Sequence, residues 1–293
     1  MGLLENAPEP LRFEMRGKLK RFTTILLVSL LIVGMVLVGP RVSLPALAEG
    51  EEPEYGGILR VAFMSDMDTQ NWLYSNSWWS WIVFRMVYDT LVVFDPQMKI
   101  VPWLATDWNV SSDGKVWTFH IVHNATWHDG VPLTAEDVAF TFNYIKEKEV
   151  PMYLSEVSII DRVEVVDDYT IKFYLTNASA TFLTRTVRAI YILPKHIWEK
   201  VEDPSTFDNK EMIGSGPFIF KERVPEQYIK LEANKNYWRG RPYIDGVIMK
   251  IYKDLDSMIM ALRAGEVDVV PWYAPPSVVP QLQADPNIDI DYS

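Results

Sequence analysis

The sequence predicts a mixed α/β protein built from more than one lobe, and three observations carry that expectation. Residues 254–270 read as a helix with Leu255, Met258, Ile259 and Leu262 on one face, a left-handed stop at Gly265, and a strand over 266–270. Alternating polar and apolar residues flank Asp113-Gly114 and Asp167-Asp168, the pattern of antiparallel hairpins with one wet face. With 293 residues, 48% of them hydrophobic, the chain can bury a full core and exceeds one simple domain.

At the start, Arg12, Arg16, Lys18, Lys20 and Arg21 precede an uncharged run over 22–39, and Ala46-Leu47-Ala48 follows. That order is an export signal with a small-x-small cleavage site. The run would extend about 27 Å as a helix, a little short of the roughly 30 Å hydrocarbon core, so residues 1–48 read as a signal peptide or a retained N-terminal membrane anchor. Either outcome leaves residues 49 onward outside the cytoplasm, periplasmic or at the cell surface. Six of the 28 basic and three of the 39 acidic side chains lie in residues 1–48, which leaves the remainder at −14 and argues against nucleic acid as a partner. No cysteine is present, so stability rests on packing and hydrogen bonding.

Gly56-Gly57 opens a strand over 58–61, with Ile58 and Val61 directed inward. Residues 66–81 read as less regular and hold Trp72, Tyr74, Trp78, Trp79 and Trp81, ahead of an apolar run over 82–94. Four tryptophans in ten residues admit two uses: core packing, or indole faces on which sugars and apolar peptide side chains stack.

The hairpin at Asp113-Gly114 puts Trp117, Phe119 and Ile121 on one face. Asp129-Gly130 and Pro132 stop the sheet, and Thr134 caps a helix over 135–146 whose buried stripe is Val138, Phe142 and Ile145. A second hairpin joins 163–166 to 169–175, with Ile171, Phe173 and Leu175 inward. Strands follow at 218–220 and 228–232, and after Pro275 come a helix over 278–283 and a strand over 288–291.

Three spaced phrases carry a resemblance: Pro102-x-Leu-Ala-x-x-Trp108, Ser111-x-Asp113-Gly114-x-x-Trp117-Thr-Phe119, and Trp127-His-Asp-Gly-x-Pro-x-Thr-Ala-x-Asp-Val138. Gly56-Gly57-x-Leu59, Tyr88-Asp89-x-Leu91, Gly214-Ser215-Gly216-Pro217 and the run over 236–246 add to it. Together they resemble the family 5 extracellular solute-binding proteins, the peptide and nickel receptors of ABC importers. The resemblance implies a two-lobed periplasmic-binding-protein-like (type II) α/β fold in which the first lobe carries an extra α+β domain and the second lobe is mostly missing. Residues 49–71 and 183–270 would form the core domain of lobe I, 72–182 the additional domain, and 271–293 the start of lobe II. The resemblance also places Trp78, Trp81, Tyr153 and Arg188 at the ligand cleft, and implies an ABC permease and its ATPase as partners.

Arg188 has two readings, a bidentate partner for a ligand carboxylate or an ordinary ion pair. Peptide is the expected ligand and an oligosaccharide the alternative. Other function classes find little support. His120 and His123 point to opposite faces of a strand and His128 sits in a turn, so no metal set and no nickel chelate is read. Gly214-x-Gly216 lacks the third glycine of a dinucleotide fingerprint and the Gly-Lys of a phosphate loop, so no cofactor is expected. An exported glycan hydrolase would need a carboxylate pair that spacing cannot locate, and no Gly-x-Ser-x-Gly or His-Glu-x-x-His motif is present, so no catalytic residue is assigned. A fragment without function is the remaining alternative.

Overall fold

The computed structural model describes residues 12–15 and 53–291. Apart from a short strand β1 at Arg12–Met15, the expected signal or anchor over 1–48 lies outside the described residues. Among the described residues no helix is long and apolar enough to cross a membrane.

The N-terminal elements are β2 (Ile58–Phe63), α1 (Trp78–Val87), β3 (Val92–Phe94), β4 (Ile100–Pro102), β5 (Ala105–Val110) and β6 (Val116–Ile121). The middle holds α2 (Ala135–Glu147), α3 (Leu154–Val157), β7 (Ile160–Asp167), β8 (Thr170–Leu175) and α4 (Lys195–Trp198). Then come β9 (Phe218–Val224), β10 (Tyr228–Ala233), β11 (Gly246–Ile251), α5 (Leu255–Arg263), β12 (Val269–Val270), α6 (Val279–Gln283) and β13 (Ile288–Asp291).

Two compact units divide the chain: Met1–Asp66, Lys221–Glu232 and Tyr243–Ser293 form the first, Met67–Phe220 and Ala233–Pro242 the second. The expected boundary at 182/183 falls inside the second unit. Backbone bonds from His128 N–H to Gly214 O (2.8 Å) and from Gly216 N–H to Val87 O (2.9 Å) fasten residues 214–216 to that unit. Residues 271–293, expected to begin another lobe, cluster with the first unit because Ala274, Leu282 and Ile288 share a buried core with Met258, Leu262, Val267 and Val270.

The first unit is organised by a mixed sheet in the order β13-β1-β12-β2-β11-β10-β9. β2 runs parallel to both β11 and β12 and so lies inside the sheet, with Leu59 and Val61 to Phe63 buried and Arg60 partly open. Ile58 is 41% exposed at the strand's first position, contrary to the inward placement expected, while Val61 is buried. α5 starts as expected: the Asp254 carboxylate accepts the Ser257 N–H at 2.8 Å, and Gly265 turns the chain at φ +69°. The strand after it is shorter than expected, only β12.

In the second unit, β5-β6-β8-β7 form an antiparallel sheet whose registers pair Trp108 with Phe119 and Phe119 with Ile171. β8 alternates as expected, with Ile171, Phe173 and Leu175 buried. α2 presents Val138, Phe142 and Ile145 to this core, and its capping box closes with the Thr134 N–H donating to the Asp137 carboxylate at 2.9 Å. Phe119, Phe142, Phe173 and Phe182 pack with ring centroids 4.8–5.6 Å apart.

Candidate functional site

Residues 66–77 are irregular, as expected, apart from a short 3-10 turn at Trp72–Tyr74, but the last four residues of the 66–81 stretch already belong to helix α1. Asp68 fixes its entry, because its carboxylate accepts from the Ser75 and Ser80 hydroxyls (2.6 and 2.7 Å) and from the Thr69 and Asn76 N–H groups. Burial pushes the Asp68 carboxyl up, yet these four donors together hold it below its ordinary range. From this anchored loop α1 leaves with seven of its ten side chains buried. Its open positions are Trp78, Trp81 and Arg85, spaced i, i+3, i+7 and therefore one stripe. Helical phase divides the three tryptophans of α1, with Trp79 (7%) in the core, Trp78 48% exposed and Trp81 half-buried, while Trp72 (0%) is buried in the 3-10 turn ahead of the helix.

Tyr191 links the remaining candidates. Trp81 stacks on it with centroids 5.9 Å apart, and Trp72 meets it edge-on at 5.5 Å. Tyr153 also packs edge-on against Trp72, at 5.3 Å. Tyr153 is thus buried one layer behind the stripe. Its hydroxyl and the Trp72 indole N–H have no hydrogen-bond partner among the described residues. Burial raises the pKa of the Tyr153 phenol, so it remains a neutral donor. Tyr191 is pushed up to about 12 by burial, against the pull of the nearby Arg85 charge.

A short π-helical stretch at Phe182–Val187 precedes Arg188 and ends with the Arg188 N–H bonded to Leu183 O, five residues back. The half-buried Arg188 side chain lies over the Phe94 ring at 4.6 Å and donates from Nε to Thr184 O at 3.1 Å. It has no carboxylate partner among the described residues, so the ordinary ion-pair reading does not describe it. Burial and the nearby Arg85 charge both lower its pKa. The structure thus connects Trp81 and Tyr153 through Trp72 and Tyr191, sets Trp78 on the same stripe as Trp81, and places Arg188 apart from them, over Phe94. Sequence reasoning missed Arg85 and Tyr191. The 78/81/85 spacing would have revealed Arg85 had the stretch been read as a helix.

The family-like phrases meet elsewhere, at buried Asp89. One carboxylate oxygen accepts from Trp103 Nε1 (2.7 Å) and the Tyr237 hydroxyl (3.1 Å), the other from the Ser215 hydroxyl (2.9 Å) and Trp238 Nε1 (3.2 Å). Burial pushes the Asp89 carboxyl up, against the pull of these four donors. His128 completes the knot: Nδ1 accepts the Gly214 N–H, which leaves the proton on Nε2 to donate to Gly216 O at 3.0 Å. His120 pairs with Asp107 and His123 stacks on Tyr169, so the histidines serve separate local contacts. Among the described residues no group of His, Asp and Glu is arranged to hold a metal.

Comparison with known proteins gives this architecture its context. Residues 99–293 match the family model described as "Bacterial extracellular solute-binding proteins, family 5 Middle". The chain is 34% identical over 222 residues to the oligopeptide-binding protein AppA of Bacillus subtilis, covering 74% of this chain and 41% of that one. The solved structure of DppA from Helicobacter pylori in complex with the peptide STSA superposes with a TM-score of 0.72 at 30% identity, over 80% of this chain and 50% of that one. The substrate-binding protein CtaP of Listeria monocytogenes gives 0.72 at 33% identity, over 78% and 47%. The chain therefore spans about half or less of the length of these relatives.

Proposed function

This chain belongs to the bacterial extracellular solute-binding proteins of family 5, and on that premise we propose that it is the extracytoplasmic receptor of an ABC importer, capturing peptides for a membrane permease. The observation that carries the ligand-binding part is the open stripe Trp78-Trp81-Arg85 on a helix buried everywhere else. A soluble protein leaves indoles uncovered at a site where something docks. Trp78 and Trp81 would supply faces for apolar peptide side chains, and Arg188 a guanidinium for a carboxylate. Tyr153 would set the depth of the wall through Trp72. The peptide-binding names of curated relatives support the ligand class. The reaction is capture without chemistry on the ligand, and the N-terminal segment would hold or export the chain at the membrane.

The test is a thermal-shift screen of the purified chain against peptides and oligosaccharides. Peptide at 100 times its dissociation constant should add about 2.7 kcal/mol of stability. A shift with oligosaccharides and none with peptides would replace the peptide reading by a glycan one. Turnover of either ligand, abolished by replacing a single carboxylate, would overturn the receptor reading altogether.

A further inference from the structure

Three arginines of the second unit stack on aromatic rings, and their edges are committed differently. Arg162 lies 3.6 Å over Tyr174 and pairs with Asp161 at 3.3 Å, while Arg188, over Phe94, donates its Nε to Thr184 O. Arg239 is exposed, with its guanidinium carbon 3.9 Å from the Trp103 ring centroid and 5.5 Å from that of Trp238, and it forms no hydrogen bond or ion pair with a described residue. The platform beneath it is fixed. Trp103 and Trp238 meet edge-on at 6.1 Å, and each donates its indole N–H to the buried Asp89 carboxylate. The turn carrying Arg239 closes with the Gly240 N–H bonded to Tyr237 O at 2.8 Å, and the Tyr237 hydroxyl donates to that same carboxylate at 3.1 Å. Stacking uses the face of a guanidinium and leaves its N–H groups, which lie in the plane, directed outward at the rim. The surroundings share the sign: Lys235, Arg239 and Arg241 fall within seven residues, and residues 233–242 hold no acid, in a chain of net charge −11.

We infer that Arg239, held flat on Trp103, is the docking point for an acidic segment of a protein partner, one of whose side-chain carboxylates takes the guanidinium rim in a bidentate pair. This goes beyond ligand capture, because it assigns a macromolecular contact to residues outside the α1 stripe. Two arguments select the partner. A planar fork whose orientation is set before binding matches a carboxylate bidentately and loses little side-chain freedom on docking. Three cations also fall short of the cluster of about four to eight Lys or Arg that draws a protein to an anionic lipid surface.

The experiment titrates the full chain, by calorimetry and by the nuclear magnetic resonance signals of the arginine Nε–H groups, with the end-blocked acidic peptide Ac-Glu-Asp-Glu-Asp-NH2 and its amide isostere Ac-Gln-Asn-Gln-Asn-NH2. The expected result is an acidic peptide bound about fivefold more tightly than the isostere, a preference that shrinks between about 50 and 500 mM salt. One Nε–H signal, absent from Arg239→Lys, should shift on binding. Arg239→Gln should bring the two peptides within about twofold of each other, and Arg239→Lys, which keeps the charge but not the fork, should restore less than half of the preference. Arg162→Gln is the matched control, a stacked arginine whose rim is already paired, and should leave the preference intact. Equal binding of both peptides, binding of neither, or an equal loss in Arg162→Gln would overturn the inference. A preference that survives Arg239→Gln and disappears in Trp78→Ala would put the peptide in the ligand site, which overturns the docking point and leaves the receptor reading standing. Sedimentation with phosphatidylglycerol vesicles that Arg239→Gln abolishes, without any preference between the peptides, would replace the protein partner by a lipid headgroup.

Discussion

Replacing Asp89 by Asn changes one atom and breaks a buried account that is balanced as it stands. Each carboxylate oxygen accepts one indole N–H and one hydroxyl. An amide keeps one acceptor oxygen and turns the other position into a donor. Whichever hydroxyl faces the new NH2 can rotate and accept, but the indole beside it cannot, because an indole N–H only donates. The cheaper arrangement puts the NH2 toward Ser215 and Trp238. The Ser215 hydroxyl rotates freely, and the Trp238 bond is the longer of the two indole bonds, at 3.2 Å against 2.7 Å. The cost is one orphaned buried N–H, about 1–3 kcal/mol. Relief of a buried charge offsets part of it, so the expected net loss is about 1–2 kcal/mol, or about 2–8 °C in Tm for a unit of this size. Asp89→Leu leaves all four donors unsatisfied and should cost well over twice as much. Thermal and urea unfolding followed by circular dichroism measure both variants. Asn indistinguishable from wild type, or Leu no worse than Asn, would refute the reasoning.

Trp72→Ala should cost about 3–5 kcal/mol of stability because the side chain is fully buried, whereas Trp78→Ala should stay within about 0.5 kcal/mol yet weaken peptide capture about tenfold or more; parallel unfolding and calorimetry separate the two. Gly214→Ala drives a methyl into the Val87 carbonyl and should cost about 3 kcal/mol or more, while Gly57→Ala meets no atom within 4 Å and should cost only about 1–2 kcal/mol for its φ of +84°, as urea midpoints would report. The depressed pKa of Asp68 sets the sign of an acid effect. Its stabilisation is complete above the unfolded carboxyl pKa of about 3.9 and is lost as pH falls through the lower folded value. Wild type should therefore lose more stability than Asp68→Asn between pH 5 and pH 2, and parallel curves would contradict the assignment.

Much of the local structure was readable because it is written in short-range chemistry. The turn at Gly114, the capping box of Thr134 and Asp137, the alternation in β8 and the start of α5 each depend on residues within a few positions of one another. The family resemblance was readable for the same reason, since its phrases are local words. Their purpose was not. Asp89, Trp103, Ser215, Tyr237 and Trp238 lie as much as 149 residues apart and meet at one carboxylate, a convergence that no short window of sequence contains. Unit boundaries were equally hidden, because residues 214–216 are claimed by backbone bonds to Val87 and His128 that no composition shift announces.

The tryptophan cluster marks the division most sharply. The sequence by itself determined that four indoles are concentrated in ten residues, and that they serve either a core or a ligand. Only the tertiary structure decided which of them are core. α1 packs on all sides but one, so helical phase sends Trp79 inward and leaves Trp78, Trp81 and Arg85 open. The opposing partner Tyr191 comes from another segment altogether, about a hundred residues along the chain. A side chain's type is fixed by its codon, but its exposure and its neighbours are set by which faces the folded chain covers.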